Sequence, residues 1–112
     1  MKERNLAFID LETTGLELKR HEIIEIGCIV ARQIQREPGE KGGASLQVIE
    51  EFEIKVKPEH FETADPVSLE INGYREDDWK DALSLSAAMQ IVAEKTKEAN
   101  IVAHNVAFDW MF

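Results

Sequence analysis

The spacing of apolar and polar residues along the first half of the chain predicts three strands. Residues 6–11 are nearly all apolar, the pattern of a strand buried on both faces in the middle of a sheet. Residues 23–34 are rich in β-branched side chains and predict a second strand. Residues 48–56 alternate as a half-exposed edge strand does, and Pro58 ends it. A polar, glycine-rich turn at residues 36–43 separates the last two strands.

The second half of the chain contains the helical signals. A short helix is predicted at residues 66–71, with Asp65 as its cap and the breaker Asn72-Gly73 after it. From Ser84 onward apolar residues recur at helical spacing as far as Ala99, which predicts a helix of about four turns.

A last strand and helix complete the predicted order. Asn100 closes the long helix, and residues 101–103 predict a short buried strand. Asn105 is a suitable N-cap for a final helix that contains Asp109. The order of three strands, helix, strand and helix predicts an α/β domain.

Composition narrows the class of protein. The chain has 112 residues, 44% of them hydrophobic, which is enough for the core of one small domain. The net charge of −9 argues against a protein that coats nucleic acid through a basic surface, although an enzyme can still handle nucleic acid at its active site. Cys28 has no partner for an internal disulfide and is expected to be a small buried hydrophobe. No apolar run approaches the roughly 18 residues of a membrane span, so we expect a cytoplasmic protein that does not bind membranes.

Two acidic residues at the end of the first strand are the main candidates for chemistry. Residues two apart in a strand project from the same face, so Asp10 and Glu12 point together. Hard divalent ions such as Mg²⁺ or Mn²⁺ prefer such oxygen ligands. The following Thr13-Thr14-Gly15 could bring backbone amides and hydroxyls close to a nucleotide. The alternative is that Asp10 and Glu12 are solvated acids that open a loop.

A third acid, Asp109, is expected in the first turn of the last helix. That turn would lie above the carboxyl ends of the strands, where open α/β sheets bind their ligands. The helix dipole alone also favours an acid there. Taken by themselves, His104, Asn105 and Phe108 are explained by a packed histidine, a helix cap and a core aromatic residue.

Two motifs resemble a known family. Residues 8–16 (Phe-Ile-Asp-Leu-Glu-Thr-Thr-Gly-Leu) and residues 102–109 (Val-Ala-His-Asn-Val-Ala-Phe-Asp) are similar to the first and second motifs of the DEDD 3′-to-5′ exonuclease superfamily. Their wording is closest to its histidine-containing branch, which includes the proofreading epsilon subunit of bacterial DNA polymerase III and ribonuclease T. The resemblance implies a ribonuclease H-like mixed sheet with flanking helices, whose second strand is antiparallel to its neighbours.

The resemblance also implies a mechanism and its residues. Two Mg²⁺ or Mn²⁺ ions would support phosphodiester hydrolysis at the 3′ end of single-stranded DNA or RNA, releasing nucleoside 5′-monophosphates. Asp10 and Glu12 would hold the first ion, Asp10 would bridge to the second, and Asp109 would act on the second. The implied substrate-binding residues are Thr13, Thr14, Gly15, Leu16, His104, Asn105 and Phe108.

One part of the family pattern has no counterpart in residues 1–112. The third motif carries a histidine that serves as general base and a fourth acid, and it belongs downstream of Asp109. His21 and His60 are expected to be solvated surface histidines rather than replacements. We therefore expect residues 1–112 to be a partial exonuclease domain without the C-terminal helical part, which is a fragment or associates with itself or with a partner such as a polymerase. The alternative functions are a non-catalytic remnant that binds metal, nucleic-acid ends or a protein, and a small α/β interaction domain without a site.

Overall fold

A single mixed β-sheet organises the domain. The computed structural model describes residues 5–17, 19–34 and 45–103. Their four strands are β1 (Asn5–Thr13), β2 (Ile23–Ile34), β3 (Ser45–Lys55) and β4 (Ala99–Ala103). The strand order is β3-β2-β1-β4, in which β2 runs antiparallel to both its neighbours and β4 runs parallel to β1. The predicted mixed sheet, with β1 inside it and β3 at its edge, is confirmed for the described residues.

The connection from β3 to β4 contains the helices. A 3₁₀ turn at Phe61–Thr63 precedes α1 (Pro66–Ile71), α2 (Glu76–Trp79) and α3 (Leu85–Thr96). Helix α1 has the predicted bounds and cap, since the Asp65 side chain accepts a hydrogen bond from the backbone N–H of Val67. Gly73 ends it with a φ of 70°, a conformation that glycine adopts at little cost. The 3₁₀ turn and α2 were not predicted, because neither is long enough to show a period.

The boundary between α3 and β4 differs from the prediction. The structure ends the helix at Thr96, whose hydroxyl donates to the carbonyl of Val92, and not near Asn100. Ala99, which the helical spacing predicts as part of the helix, is instead the first residue of β4 and pairs with Asn5 of β1. The parallel ladder with β1 therefore outweighs the helical period at this position.

One face of the sheet carries the core. Ala88 and Val92 of α3 pack against a buried cluster that continues along the sheet. The buried members contributed by the strands and the residue that follows β3 are Ala7, Ile23, Ile26, Cys28, Val30, Ile54, Val56 and Ala99. Cys28 is buried as expected, and burial raises the pKa of its thiol.

The opposite face of β1 is more open than the sequence predicts. Ala7 is buried, whereas Phe8 is half-buried and Asp10 is exposed on the other face. The expectation of a strand buried on both faces is therefore wrong for the described residues, because α3 covers only the face of Ala7, Ile9 and Leu11. No described helix is both long and apolar enough to cross a membrane.

Candidate functional site

The first two predicted acids lie on the open face of the sheet. Asp10 and Glu12 alternate with the core residues Ile9 and Leu11 along β1, so both project away from α3. Asp10 is one position beyond the last pairing of β1 with β4, which joins Ile9 to Ala103. The pair therefore lies where β1 and β4 both reach their carboxyl ends, the place where open α/β sheets bind ligands.

Glu12 lies in an environment that disfavours its charge. Its Oε2 atom is buried and has no hydrogen-bond partner within the described part of the chain. Burial is the largest cause that raises the pKa of Glu12 to about 7, followed by a side-chain hydrogen bond with Glu25 and by the charges of Glu25 and Asp10. Lys55 opposes this rise. A buried carboxyl oxygen without a partner is open to a cation.

Glu25 lies directly opposite Glu12 on the neighbouring strand and is paired with the side chain of Lys55. The register pairs Glu12 with Glu25 across β1 and β2, and Glu25 with Lys55 across β2 and β3. The Nζ atom of Lys55 is 3.4 Å from Oε1 of Glu25 and 4.4 Å from the ring centroid of Trp79. Trp79 is buried, and its indole N–H donates to the carbonyl of Ile24 at 2.9 Å. The three side chains thus form a row that ends at Glu12.

A groove runs along the same face beside Asp10. It encloses about 590 Å³, a size within the usual range of ligand pockets. Apolar side chains line much of it, among them Phe8, Ile29 and Val102, and acidic side chains lie beside them. The acids that line it are Asp10, Glu51 and Glu53.

The loop after β1 is closed at its neck by hydrogen bonds. The N–H of Thr14 donates to the carbonyl of Glu22 at 2.8 Å, and the N–H of Glu22 donates to Oγ1 of Thr14 at 2.9 Å. The Thr13 hydroxyl donates to the carbonyl of Gly15. Both threonines are buried, whereas Leu16 is 78% exposed. The threonine hydroxyls therefore hold the loop together, and Leu16 is the predicted substrate-binding side chain that faces solvent.

Residues on both sides of α1 donate hydrogen bonds to the backbone at the start of this loop. The N–H of Asp65 donates to the carbonyl of Thr14 at 2.7 Å, and the side-chain amide of Asn72 donates to the carbonyl of Thr13 at 2.8 Å. One residue before α1 and one residue after it therefore fix the backbone that follows Glu12.

His21 does not have the environment that the sequence predicts. Its ring packs against Gly15, and its Nδ1 accepts the backbone N–H of Glu17 at 3.0 Å. The expectation of a solvated surface histidine is wrong for His21, because a glycine lets the ring approach the backbone closely. His60 does lie at the surface, where its side chain is 65% exposed and pairs with Glu62.

The second predicted motif falls outside the described residues. His104, Asn105, Phe108 and Asp109 all belong to residues 104–112. Their approach to Asp10 and Glu12 stays a prediction, as do the roles assigned to all the site residues. Within residues 5–17, 19–34 and 45–103, no group of three or more His, Cys, Asp or Glu side chains is placed to hold a metal ion.

Sequence reasoning missed two residues next to the predicted site. Glu25 carried a signal, since it is the only charged residue in the apolar run of residues 23–31. The sequence predicts Asn72 as part of a helix breaker, and nothing in its local pattern indicates the bond to Thr13.

Comparison with known proteins identifies a family for this arrangement. The family model described as Exonuclease matches residues 7–112. A DNA polymerase III of the PolC type from Thermotoga maritima is 32% identical over 104 residues, which cover 93% of this chain and 7% of that protein. The chain therefore spans a small part of the length of this relative.

Solved structures share the fold at low sequence identity. A product-bound structure of exonuclease I has a TM-score of 0.71 at 17% identity, covering 98% of this chain and 24% of its own. Cell-death related nuclease 4 has a TM-score of 0.66 at 16% identity, covering 96% and 37%. A full-length 3′-exonuclease has a TM-score of 0.65 at 18% identity, covering 89% and 33%. These neighbours confirm the ribonuclease H-like fold that the sequence predicts.

Proposed function

The chain belongs to the exonuclease family, and on that premise we propose that it is a metal-dependent 3′-to-5′ exonuclease domain. It would remove nucleoside 5′-monophosphates from nucleic-acid 3′ ends. The observation that carries the proposal is the pair formed by Asp10 and Glu12, which share one face at the carboxyl end of β1.

The chemistry of these two side chains fits a divalent cation. A buried carboxyl oxygen without a donor, such as Oε2 of Glu12, is costly unless a cation or a proton compensates it. Carboxylate oxygens are the ligands that Mg²⁺ and Mn²⁺ prefer, and Mg²⁺ usually takes only one or two of them from protein. In this proposal Asp10 and Glu12 hold the first ion, and Asp109 contributes to a second. Two such ions, when bound, supply an activated water and stabilise the negative charge on the leaving 3′ oxygen.

The loop after β1 would orient the substrate. Its neck is fixed by the paired hydrogen bonds of Thr14 and Glu22, and the exposed Leu16 side chain lies four residues after Glu12. An apolar side chain of this kind can contact the face of a terminal base without reading its identity. Holding the terminal nucleotide beside Asp10 converts hydrolysis into a reaction between groups already in place.

The charge of the chain favours brief engagement of a single-stranded end. The net charge of −9 argues against the tight binding to long nucleic acid that a basic surface would give. A polymerase partner, which could deliver 3′ ends, is favoured by one observation. The relative that matches 93% of this chain is a PolC-type DNA polymerase III. We propose this association as the cellular setting of the domain.

The experiment follows a 5′-labelled single-stranded oligonucleotide incubated with the protein and Mn²⁺. We expect a ladder that shortens from the 3′ end, with nucleoside 5′-monophosphates as products. Asp10→Asn should abolish the ladder, because it removes a charged ligand with little change in shape. The matched control is Asp77→Asn, which makes the same exchange at an exposed position in α2 and should cleave like the wild type.

Equal cleavage by the wild type and Asp10→Asn would contradict the proposal. Asp10-dependent Mn²⁺ binding without any cleavage would instead favour the non-catalytic remnant. Removal of nucleotides from the 5′ end would show the opposite polarity and would also overturn the assignment.

A further inference from the structure

We propose that His21 is a positioning residue, which shapes the loop of residues 15–17 so that Leu16 can contact the 3′-terminal nucleotide. The proposal rests on the proposed function, because it assigns the loop to the substrate of that site. His21 would not touch the reacting atoms. It would act through the backbone that it supports.

The first observation is the close approach of the His21 ring to Gly15. A Cβ atom built on Gly15 would overlap Cε1, Nδ1 and Nε2 of the ring, so any larger residue would displace the imidazole. The backbone φ of Gly15 is not in the left-handed region. Glycine therefore leaves space for the ring at this position, and the backbone conformation does not call for it.

The second observation is a hydrogen bond from the other side of the loop. The N–H of Glu17 donates to Nδ1 of His21 at 3.0 Å, so the neutral ring carries its hydrogen on Nε2. The carbonyl of Glu17 in turn accepts the N–H of His21 at 2.8 Å. Residues 17 and 21 are thus joined by two hydrogen bonds, and the half-buried imidazole lies against Gly15.

The third observation is that the neck and the tip of the loop have different supports. Thr14 and Glu22 hold the neck, and the Glu22 carboxylate also accepts the N–H groups of Glu59 and His60. The tip, with the 78% exposed Leu16, rests on the imidazole through Gly15 and Glu17. Removal of the ring should therefore free the tip while the neck, Asp10 and Glu12 keep their positions.

The test compares His21→Ala with the matched control His60→Ala. His60 is also a loop histidine, but its ring is exposed, and the bond from its N–H to Glu22 is kept in the variant. The readouts are the Kd for a 5′-fluorescein single-stranded oligonucleotide in Ca²⁺, the KM and kcat in Mn²⁺, and Mn²⁺ affinity by calorimetry. We expect His21→Ala to weaken oligonucleotide binding about tenfold and to raise KM in proportion, an effect typical of lost positioning. Mn²⁺ affinity should stay within about twofold of the wild type, since neither acid is displaced.

A second set of variants separates this role from general destabilisation. Gly15→Ala should displace the ring and therefore weaken oligonucleotide binding as His21→Ala does. The double variant with Gly15→Ala and His21→Ala should bind the oligonucleotide no more weakly than either single variant, because the added methyl group then meets no ring. His21→Phe, which keeps a flat ring but removes the acceptor, should give an intermediate loss.

The outcomes distinguish the two proposals. If Asp10→Asn abolishes cleavage but His21→Ala binds and cleaves like His60→Ala, the positioning role is overturned and the proposed function stands. Additive losses in the double variant would also overturn it, since they would mean that the two residues act separately. If the wild type shows no Asp10-dependent metal binding or cleavage, the proposed function fails, and the inference built on it fails as well.

Discussion

Glu12 and Glu25 lie directly opposite each other on adjacent antiparallel strands, and Glu25 is also paired with Lys55 at 3.4 Å. Like charges in this position are destabilising in a sheet. Glu12 has in addition a buried oxygen without a donor among the described residues. The charged form of Glu12 is therefore costly unless a cation or a proton compensates it, and perturbed acids of this kind cluster at functional sites.

The first prediction concerns the pH dependence of stability in the absence of metal. The pKa of Glu12 rises from 4.5 to about 7, chiefly by burial and then by Glu25, so the folded state binds more protons than the unfolded state between these values. The stability that Glu12 contributes is therefore complete below pH 4.5 and is lost as pH rises through 7. Glu12→Gln should remove this loss and be more stable than the wild type at pH 8 by about 2 kcal/mol, allowing for partial exposure.

Urea unfolding at pH 5.5 and pH 8 in EDTA measures this difference. Glu70→Gln, at an exposed position in α1, is the control and should follow the wild type at both values. A Glu12→Gln protein that is no more stable than the wild type at pH 8 would show that Glu12 ionises without penalty.

The second prediction concerns Trp79, whose ring lies beside Lys55, the partner of Glu25. Trp79→Phe removes the donor to the carbonyl of Ile24 while it keeps a ring near Lys55. It should lower the free energy of unfolding by about 0.5–1.5 kcal/mol, because the carbonyl of Ile24 loses the indole donor and keeps only the N–H of Val56. Tyr74→Phe, a change in the neighbouring ring, should cost about 0.5 kcal/mol or less. Equal effects of the two variants in chemical denaturation would contradict the role of the indole bond.

The third prediction concerns Asn72, which holds the carbonyl of Thr13 at 2.8 Å. Asn72→Ala should weaken Mn²⁺ binding and slow cleavage several-fold, because Thr13 follows Glu12 directly and a small displacement of a ligand is costly. The control is Ser84→Ala, which removes the cap of α3 and should cost about 1 kcal/mol of stability without affecting metal affinity. If the two variants lose metal affinity equally, the effect comes from stability and not from the bond to Thr13.

The strands could be predicted because the spacing of apolar and polar residues in a strand depends on which of its faces are buried. The alternation in β3 indicated an edge strand, the β-branched run indicated that β2 is a strand, and Asp65-Pro66 indicated the start of α1. The end of α3 could not be predicted in this way. Ala99 fits a helix by spacing, and only its pairing with Asn5, more than 90 positions earlier in the chain, places it in a strand.

The site was predictable to the same extent. Asp10 and Glu12 share a face because of the strand period alone. The positions of Glu25 and His21 depend on which residues the register and the loop bring opposite them. Such long-range contacts leave no local pattern, so the surroundings of the acids had to come from the structure.

The central claim is that Asp10 and Glu12 form a site for divalent cations, and calorimetric titration with Mn²⁺ at pH 8 tests it most directly. Wild-type protein and Asp77→Asn should give the same saturable heat, whereas Asp10→Asn and Glu12→Gln should give little or none. A heat of binding that is unchanged in Asp10→Asn would contradict the account.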